Sequence, residues 1–136
     1  MPAVRARTLV ITRFTVPEPD AGGFQTRSQE ALGALAARPG YLRGHLGRAV
    51  DEPTTWLLVT EWEGLGAYRR ALSAYDVKIR ATPLLATALD EPSTFEVLLG
   101  SDAAGGMVTS PSDRARDAAT AGPRRALPAP DPGGTS

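Results

Sequence analysis

The chain has 136 residues and carries 15 basic and 15 acidic side chains, so its formal net charge at pH 7 is zero. A neutral chain has no long-range positive field to attract phosphates, which argues against nucleic acids and anionic membrane surfaces as partners. The absence of cysteine and the single histidine, His45, exclude disulfides, zinc–thiolate sites, iron–sulfur clusters and multi-histidine metal centres.

Targeting signals are not evident in the sequence. No apolar run approaches the roughly 20 residues that span a bilayer. The first residues lead directly into an alternating strand pattern, without the apolar core of a secretory signal. We therefore expect a cytoplasmic protein.

The composition changes near Gly100. Residues 101–136 contain no aromatic residue, and their large aliphatic side chains are Met107, Val108 and Leu127. Such a segment buries too little apolar surface to offset its ordering entropy. The sequence predicts a folded domain over residues 1–100 and a disordered Gly/Pro/Ala-rich tail over residues 101–136. The alternative is a tail that orders on a partner.

The first half of the domain shows a strand, a helix and a hairpin. Residues 9–16 are rich in β-branched side chains and predict a strand. Helical spacing of apolar residues predicts a helix over residues 24–37, which ends at Pro39-Gly40. Strands over residues 41–50 and 55–62 follow, and their short connection predicts an antiparallel hairpin.

The second half shows helical segments and a final strand. Residues 67–74 and 76–88 predict two helical pieces, and Pro83 breaks or restarts the second. The last predicted strand covers residues 94–99. The order β-α-β-β-α-β predicts an α+β, ferredoxin-like protomer with an antiparallel sheet.

Both faces of the predicted sheet are apolar. The strand over residues 55–62 places Trp56, Leu58 and Trp62 on one face, and it places Leu57 and Val59 on the other. Two helices cover only one face of a four-stranded sheet, so the second face needs another cover. A second copy of the chain provides it, and we predict a homodimer.

Three motifs carry a resemblance to a known family: RPGYL at residues 38–42, WLLVTEWE at residues 56–63 and AY at residues 67–68. In this order they resemble the antibiotic biosynthesis monooxygenase superfamily, over about residues 8–99. The resemblance implies a ferredoxin-like protomer that pairs into a dimeric α+β barrel. It also implies oxidation of a small aromatic or polyketide-like substrate with O2, without a metal or other cofactor.

The resemblance to the polyketide-oxidising branch also implies site residues. Its tryptophan, tyrosine and arginine fall on Trp62, Tyr68 and Arg80, whereas Leu58 stands where that branch has asparagine. Arg80 would stabilise phenolate charge, Tyr68 would hydrogen-bond the substrate, and Trp62 would provide an aromatic wall. His45 is the candidate base, because histidine alone has an unperturbed pKa near neutrality.

Other interpretations of these residues stay open. By strand parity, His45 shares a face with Tyr41 and Arg43, which suits a surface or interface histidine. Packing alone accounts for Trp62 and Tyr68. The alternative function is therefore a non-catalytic dimeric barrel that binds a small hydrophobic ligand or a partner protein.

Haem degradation is disfavoured. The haem-degrading branch requires an asparagine, a tryptophan and a histidine where this chain has Thr12, Ala71 and Arg80. Arginine cannot ligate iron because it stays protonated.

Overall fold

The computed structural model describes residues 6–112. Residues 7–97 form one compact unit, and residues from Leu98 onward belong, with Ala6, to a second unit. Residues 113–136, which hold most of the predicted tail, lie outside the described residues.

The first unit contains the predicted β-α-β-β-α-β order. Its elements are β1 (Arg7–Thr15), α1 (Ala21–Ala36), β2 (Tyr41–Arg48), β3 (Thr55–Trp62), α2 (Leu65–Leu72), α3 (Tyr75–Arg80), α4 (Thr82–Leu85) and β4 (Thr94–Val97). A short 3-10 turn over Glu18–Asp20 joins β1 to α1. Pro83 lies in the first turn of α4, which confirms that the second helical segment restarts there.

The four strands form one antiparallel sheet in the order β2-β3-β1-β4. The two central strands, β1 and β3, pair along their full lengths, from Thr8 opposite Trp62 to Thr15 opposite Thr55. This order is that of a ferredoxin-like α+β fold, which confirms the predicted fold class.

One face of the sheet and the helices together form the core. Along β1 and β3 every second residue is buried on this face, as the two-residue period of a strand requires. The large buried side chains of the core are Val10, Phe14, Val16, Phe24, Leu35, Trp56, Leu58, Trp62, Val77 and Leu84. We call this face the helix-covered face.

The opposite face, which we call the second face, also carries apolar side chains. Leu9, Ile11, Leu57 and Val59 are half-buried, and Phe95, opposite Leu9, is 44% exposed. Charged residues flank them: Glu61 pairs with Arg7 at 3.4 Å and with Arg43. The apolar character predicted for both faces is therefore confirmed.

A bulge at the start of β2 changes the facing of Tyr41. Tyr41 lies opposite Trp62, but Arg43 lies opposite Glu61, so the register shifts between them. Tyr41 therefore faces the helices, whereas Arg43 lies on the second face. The prediction that Tyr41 shares a face with His45 is wrong, because strand parity holds only where no residue is inserted.

The second unit contains a small hairpin. Strand β5 (Leu99–Ser101) pairs with β6 (Met107–Thr109), and the Asp102 side chain accepts hydrogen bonds from the backbone N–H groups of Ala104 and Gly106. The predicted strand over residues 94–99 is thus divided between β4 and β5. The hairpin extends across the predicted boundary at residue 100, and β6 lies where the composition predicted disorder.

Candidate functional site

Three aromatic rings meet on the helix-covered face at the carboxyl end of β3. The ring of Trp62 packs edge-on against Tyr41, with centroids 5.3 Å apart, and its centroid lies 5.5 Å from that of Tyr68. We call Tyr41, Trp62 and Tyr68 the Trp62 cluster. The structure therefore brings together two predicted site residues, Trp62 and Tyr68.

Local structure positions each of these rings. Trp62 is the last residue of β3, and Tyr68 lies in the first turns of α2, which begins three residues later at Leu65. Tyr41 follows Gly40, whose φ of +89° lies in the left-handed region that glycine tolerates. The Gly40 carbonyl accepts a hydrogen bond of 2.8 Å from the N–H of Glu63, which ties the start of β2 to the end of β3.

Trp62 is enclosed by protein atoms. Its side chain has no exposed surface, and its indole Nε1–H donates to Thr60 Oγ1 over 2.9 Å inside the core. A substrate that contacts Trp62 therefore requires a displacement of side chains that cover it.

The two phenols of the cluster keep their protons. Burial raises the pKa of Tyr68 and, in the same direction, the pKa of Tyr41 above the ordinary value of 10.0, because desolvation disfavours the phenolate. At neutral pH both side chains are therefore hydrogen-bond donors and not bases.

The two other predicted site residues are Arg80 and His45. Arg80 is the last residue of α3 and its side chain is exposed. His45 lies opposite Val59 on the second face, so the sheet separates it from Trp62 and Tyr68 within one protomer. Among the described residues neither Arg80 nor His45 forms a hydrogen bond or ion pair with the aromatic pair, and their catalytic roles stay predictions.

Three residues stand where the haem-degrading branch has its functional side chains: Thr12 and Ala71, which are buried in the core, and Arg80, which is exposed. Thr12 is buried opposite Leu58 in the central strand pair, and Ala71 is buried on α2. Within residues 6–112, no group of three or more His, Cys, Asp or Glu side chains is placed to hold a metal ion. In the same range no helix is long and apolar enough to cross a membrane.

Sequence reasoning missed Tyr41 and Thr60. Thr60 precedes Trp62 by two residues on the same strand face, so its contact with the indole was available from strand parity. The inward position of Tyr41 depends on the bulge, and a bulge leaves no pattern in a single sequence. The signal nearest to it is Gly40, which marks an unusual backbone immediately before the strand.

A second aromatic cluster lies at the other end of the same face. Phe24 packs edge-on against Phe14 and against Trp56, with centroids 5.1 Å and 5.3 Å apart. The guanidinium carbon of Arg48 lies 5.2 Å from the centre of the Trp56 ring, a cation–π geometry. We call Phe14, Phe24 and Trp56 the Trp56 cluster. In contrast to Trp62, the buried Nε1 of Trp56 has no hydrogen-bond acceptor among the described residues.

Comparison with known proteins identifies the family. Residues 8–78 match the family model of the antibiotic biosynthesis monooxygenases, which covers more than half of the chain. The chain therefore belongs to the antibiotic biosynthesis monooxygenase family, as the motifs at residues 38–42, 56–63 and 67–68 predicted. No protein of curated function matches the sequence.

Solved structures with the same fold include an oxygenase. The chain is 28% identical to a mutant of SnoaB, a cofactor-independent oxygenase from Streptomyces nogalater, with a TM-score of 0.58 over 66% of this chain and 91% of that one. A second SnoaB structure is 25% identical, with a TM-score of 0.56. A conserved protein from Methanosarcina mazei Go1 has the same TM-score of 0.58 at 14% identity, over 69% and 95% of the two chains, and shows the shared fold alone.

Proposed function

We propose that this protein is a cytoplasmic, cofactor-independent monooxygenase that oxidises a small aromatic or polyketide-like substrate with O2. The observation that carries the proposal is the family match over residues 8–78, together with the 28% identity to an oxygenase that works without a cofactor. The Trp62 cluster is the proposed site, because it combines an aromatic ring with two phenolic donors.

The chemistry depends on the substrate as electron donor. An anthrone, once deprotonated, is electron-rich enough to reduce O2. Its methylene carbon becomes a carbonyl: one oxygen atom of O2 enters the quinone product, and the other leaves as water with the two methylene hydrogens. The protein's contribution is to bind the substrate, stabilise its anion and exclude bulk water.

Tyr68 has the protonation state that this role requires. Because burial raises its pKa, its hydroxyl donates a hydrogen bond to a developing oxyanion at neutral pH instead of carrying a competing negative charge. Tyr68 is half-buried, whereas Trp62 is fully enclosed. We propose that the Tyr68 side chain moves to admit the substrate and then donates to its oxygen, with Trp62 as the wall behind.

The test is oxygen uptake by the purified, metal-stripped protein supplied with 1,8-dihydroxyanthrone, with the uncatalysed rate subtracted. We expect uptake matched one to one by quinone. Tyr68→Phe removes the donor and is expected to lower turnover by about 100-fold, the usual effect of deleting one oxyanion donor. Trp62→Phe is also expected to lower turnover, whereas the same change at Trp56, at the other end of the sheet, is the matched control.

Arg80 and His45 are tested in the same assay. Arg80→Ala lowers turnover if Arg80 stabilises the substrate anion, and Arg69→Ala, which removes an exposed arginine of α2, is its control. His45→Gln lowers turnover if His45 is the base, and unchanged turnover would agree with its position on the face opposite the Trp62 cluster. Loss of turnover in His45→Gln together with normal turnover in Tyr68→Phe would move the site to the second face.

A specific observation favours a second candidate function. Trp62 has no exposed surface, as expected of a ring used only for packing. The alternative is a non-catalytic barrel that binds a small hydrophobic ligand or a partner protein. Absence of oxygen uptake above the blank, with 1,8-dihydroxyanthrone nevertheless bound, would favour this alternative over the oxygenase.

We also propose that two protomers pair through their second faces into a dimeric α+β barrel. The support is the row of half-buried apolar side chains, among them Ile11 and Val59, on the two central strands. Sedimentation equilibrium of the full chain is expected to show a dimer at micromolar concentration. Val59→Glu should produce monomers, whereas Ile79→Glu, an exposed change on α3, should not. A monomeric wild type would contradict the proposal.

A further inference from the structure

An open cleft of about 530 Å³ lies beside the Trp56 cluster. It is bounded by the end of β1, the 3-10 turn, the first turns of α1 and the segment after α4. The residues that line it are Phe14, Thr15, Val16, Pro17, Pro19, Asp20, Gly23, Phe24, Arg27 and Thr87. Its volume lies within the range of small-molecule sites, roughly 300–1,000 Å³.

The cleft is remote from the proposed oxygenation site. Trp62 lies opposite Thr8, and Phe14 is six residues further along β1. At about 3.3 Å per strand residue, this places the two regions about 20 Å apart. The Trp62 cluster therefore does not account for the cleft, and the proposed chemistry does not require it.

The two charged side chains of the cleft, Asp20 and Arg27, are exposed, and neither forms an ion pair within residues 6–112. Within residues 6–112, Arg27 has no hydrogen bond or ion pair, whereas Arg13 pairs with Glu91 at 3.2 Å. A Cβ placed on Gly23 would lie 3.4 Å from Arg27 Nη1, so the guanidinium folds back over the first turn of α1. Asp20 precedes α1, and its side chain does not cap the helix.

We infer that this cleft binds a small hydroxylated aromatic acid. The exposed rings of Pro17 and Pro19 provide apolar walls for a flat molecule, and the buried Phe14–Phe24 pair borders the cleft behind them. The planar guanidinium of Arg27 pairs with its carboxylate, for which arginine has the matching donor geometry. Asp20 accepts a hydrogen bond from its hydroxyl. The ligand thus pairs its carboxylate with the basic side chain of the lining and its hydroxyl with the acidic one.

The probe for the test is 6-hydroxy-2-naphthoate, whose hydroxyl lies far from its carboxylate, and its uncharged counterpart is 6-hydroxy-2-naphthamide. Titration of the full-length protein, followed by two-dimensional NMR, is expected to shift the amide signals of Gly23, Phe24 and Arg27. The indole N–H signal of Trp62 should not move. Signals that shift at Trp62 and not at the cleft would overturn the proposal, as would an absence of binding at millimolar probe.

Two pairs of variants separate charge from shape. Arg27→Gln is expected to weaken naphthoate binding about tenfold, the usual loss for one charge-assisted pairing, and to leave naphthamide binding unchanged. Arg69→Gln, the same change at an exposed position on α2, is the control. Equal affinities of wild type and Arg27→Gln for the naphthoate would overturn the assignment of the carboxylate to Arg27.

The second pair of variants tests whether filling the cleft blocks binding. Gly23 lines it and has a helical backbone, so Gly23→Leu is expected to abolish binding of both probes. Gly22→Leu is the control: Gly22 does not line the cleft, and nothing lies within 4 Å of a Cβ placed on it. The Gly22→Leu variant should bind both probes normally. Displacement of the naphthoate by inorganic phosphate alone would indicate a simple anion site and would overturn the aromatic assignment.

Discussion

The Trp62 and Trp56 clusters occupy the two ends of one sheet face, yet they differ in polarity. Their tryptophans are six residues apart on β3 and point in the same direction. Trp62 donates to Thr60 and is flanked by two tyrosines, whereas Trp56 has an unpaired Nε1 and is flanked by two phenylalanines. The two ends therefore differ in polarity because of the side chains around each tryptophan, since both tryptophans belong to the same strand.

This difference divides the possible chemistry between the two ends. The Trp62 cluster holds phenolic hydroxyls beside a satisfied indole, so it can donate hydrogen bonds to a substrate oxygen without leaving another polar group unpaired. The rings of the Trp56 cluster are buried and apolar, the Arg48 guanidinium lies over Trp56, and the cleft borders Phe14 and Phe24. The proposed oxygenation is therefore assigned to the first end, and the proposed ligand binding is assigned to the second.

Among the variants that distinguish the two clusters, Gly40→Ala is expected to cause the largest loss of stability. The backbone of Gly40 has a φ of +89°, and a Cβ there would lie 2.4 Å from Ala67 Cβ. Strain and overlap together should lower the free energy of unfolding by about 2 kcal/mol or more. Because Gly40 precedes Tyr41, the Trp62 cluster should be the region that loosens. Urea unfolding measures the loss.

The matched control for this change is Gly47→Ala. Gly47 lies in β2, the strand that Gly40 precedes, opposite Leu57 near the Trp56 end, and nothing lies within 4 Å of a Cβ placed on it. Its substitution should change the stability by less than about 0.5 kcal/mol, as is usual for surface positions. Equal losses in the two variants would show that the turn at Gly40 does not set the geometry of the cluster.

Much of the fold follows from local sequence patterns, because alternation and helical spacing report burial directly. Strand β3 has the predicted bounds, since apolar residues on both faces leave little choice of structure. The hairpin of β5 and β6 was missed because it buries few side chains. Its stability depends in part on the Asp102 carboxylate and two backbone N–H groups, contacts that composition does not register.

The candidate site was only partly predictable. Trp62 and Tyr68 belong to adjacent elements, β3 and α2, so short-range sequence order is enough to bring them together. The resemblance assigns Arg80 and side-chain chemistry assigns His45, and neither argument determines which face a side chain occupies. The facing of Tyr41 depends on one inserted residue in β2, and a one-residue shift reverses every inward and outward position beyond it.

A smaller effect distinguishes the two tryptophans. Trp62→Phe removes the donor to Thr60 and leaves that buried hydroxyl without its partner, whereas Trp56→Phe removes an Nε1–H that has no acceptor. We expect Trp62→Phe to cost about 1 kcal/mol more than Trp56→Phe, the net value of one buried hydrogen bond. Chemical denaturation followed by far-UV circular dichroism measures both variants. A larger loss in Trp56→Phe would reverse the comparison.

The smallest expected effect is a change in thermal stability that appears only at alkaline pH. It arises from the phenols of the Trp62 cluster, which the Trp56 cluster does not contain. Burial raises the pKa of Tyr68 above 10.0, so the folded state favours the protonated form relative to the unfolded chain. This contribution to stability is complete below the unfolded pKa and is lost as the pH rises through the folded pKa. The wild-type melting temperature should therefore fall more steeply above about pH 10 than that of Tyr68→Phe. Tyr75→Phe, at a residue that is 77% exposed, should follow the wild type, and parallel curves for wild type and Tyr68→Phe would show that the phenol of Tyr68 is not protected by the fold.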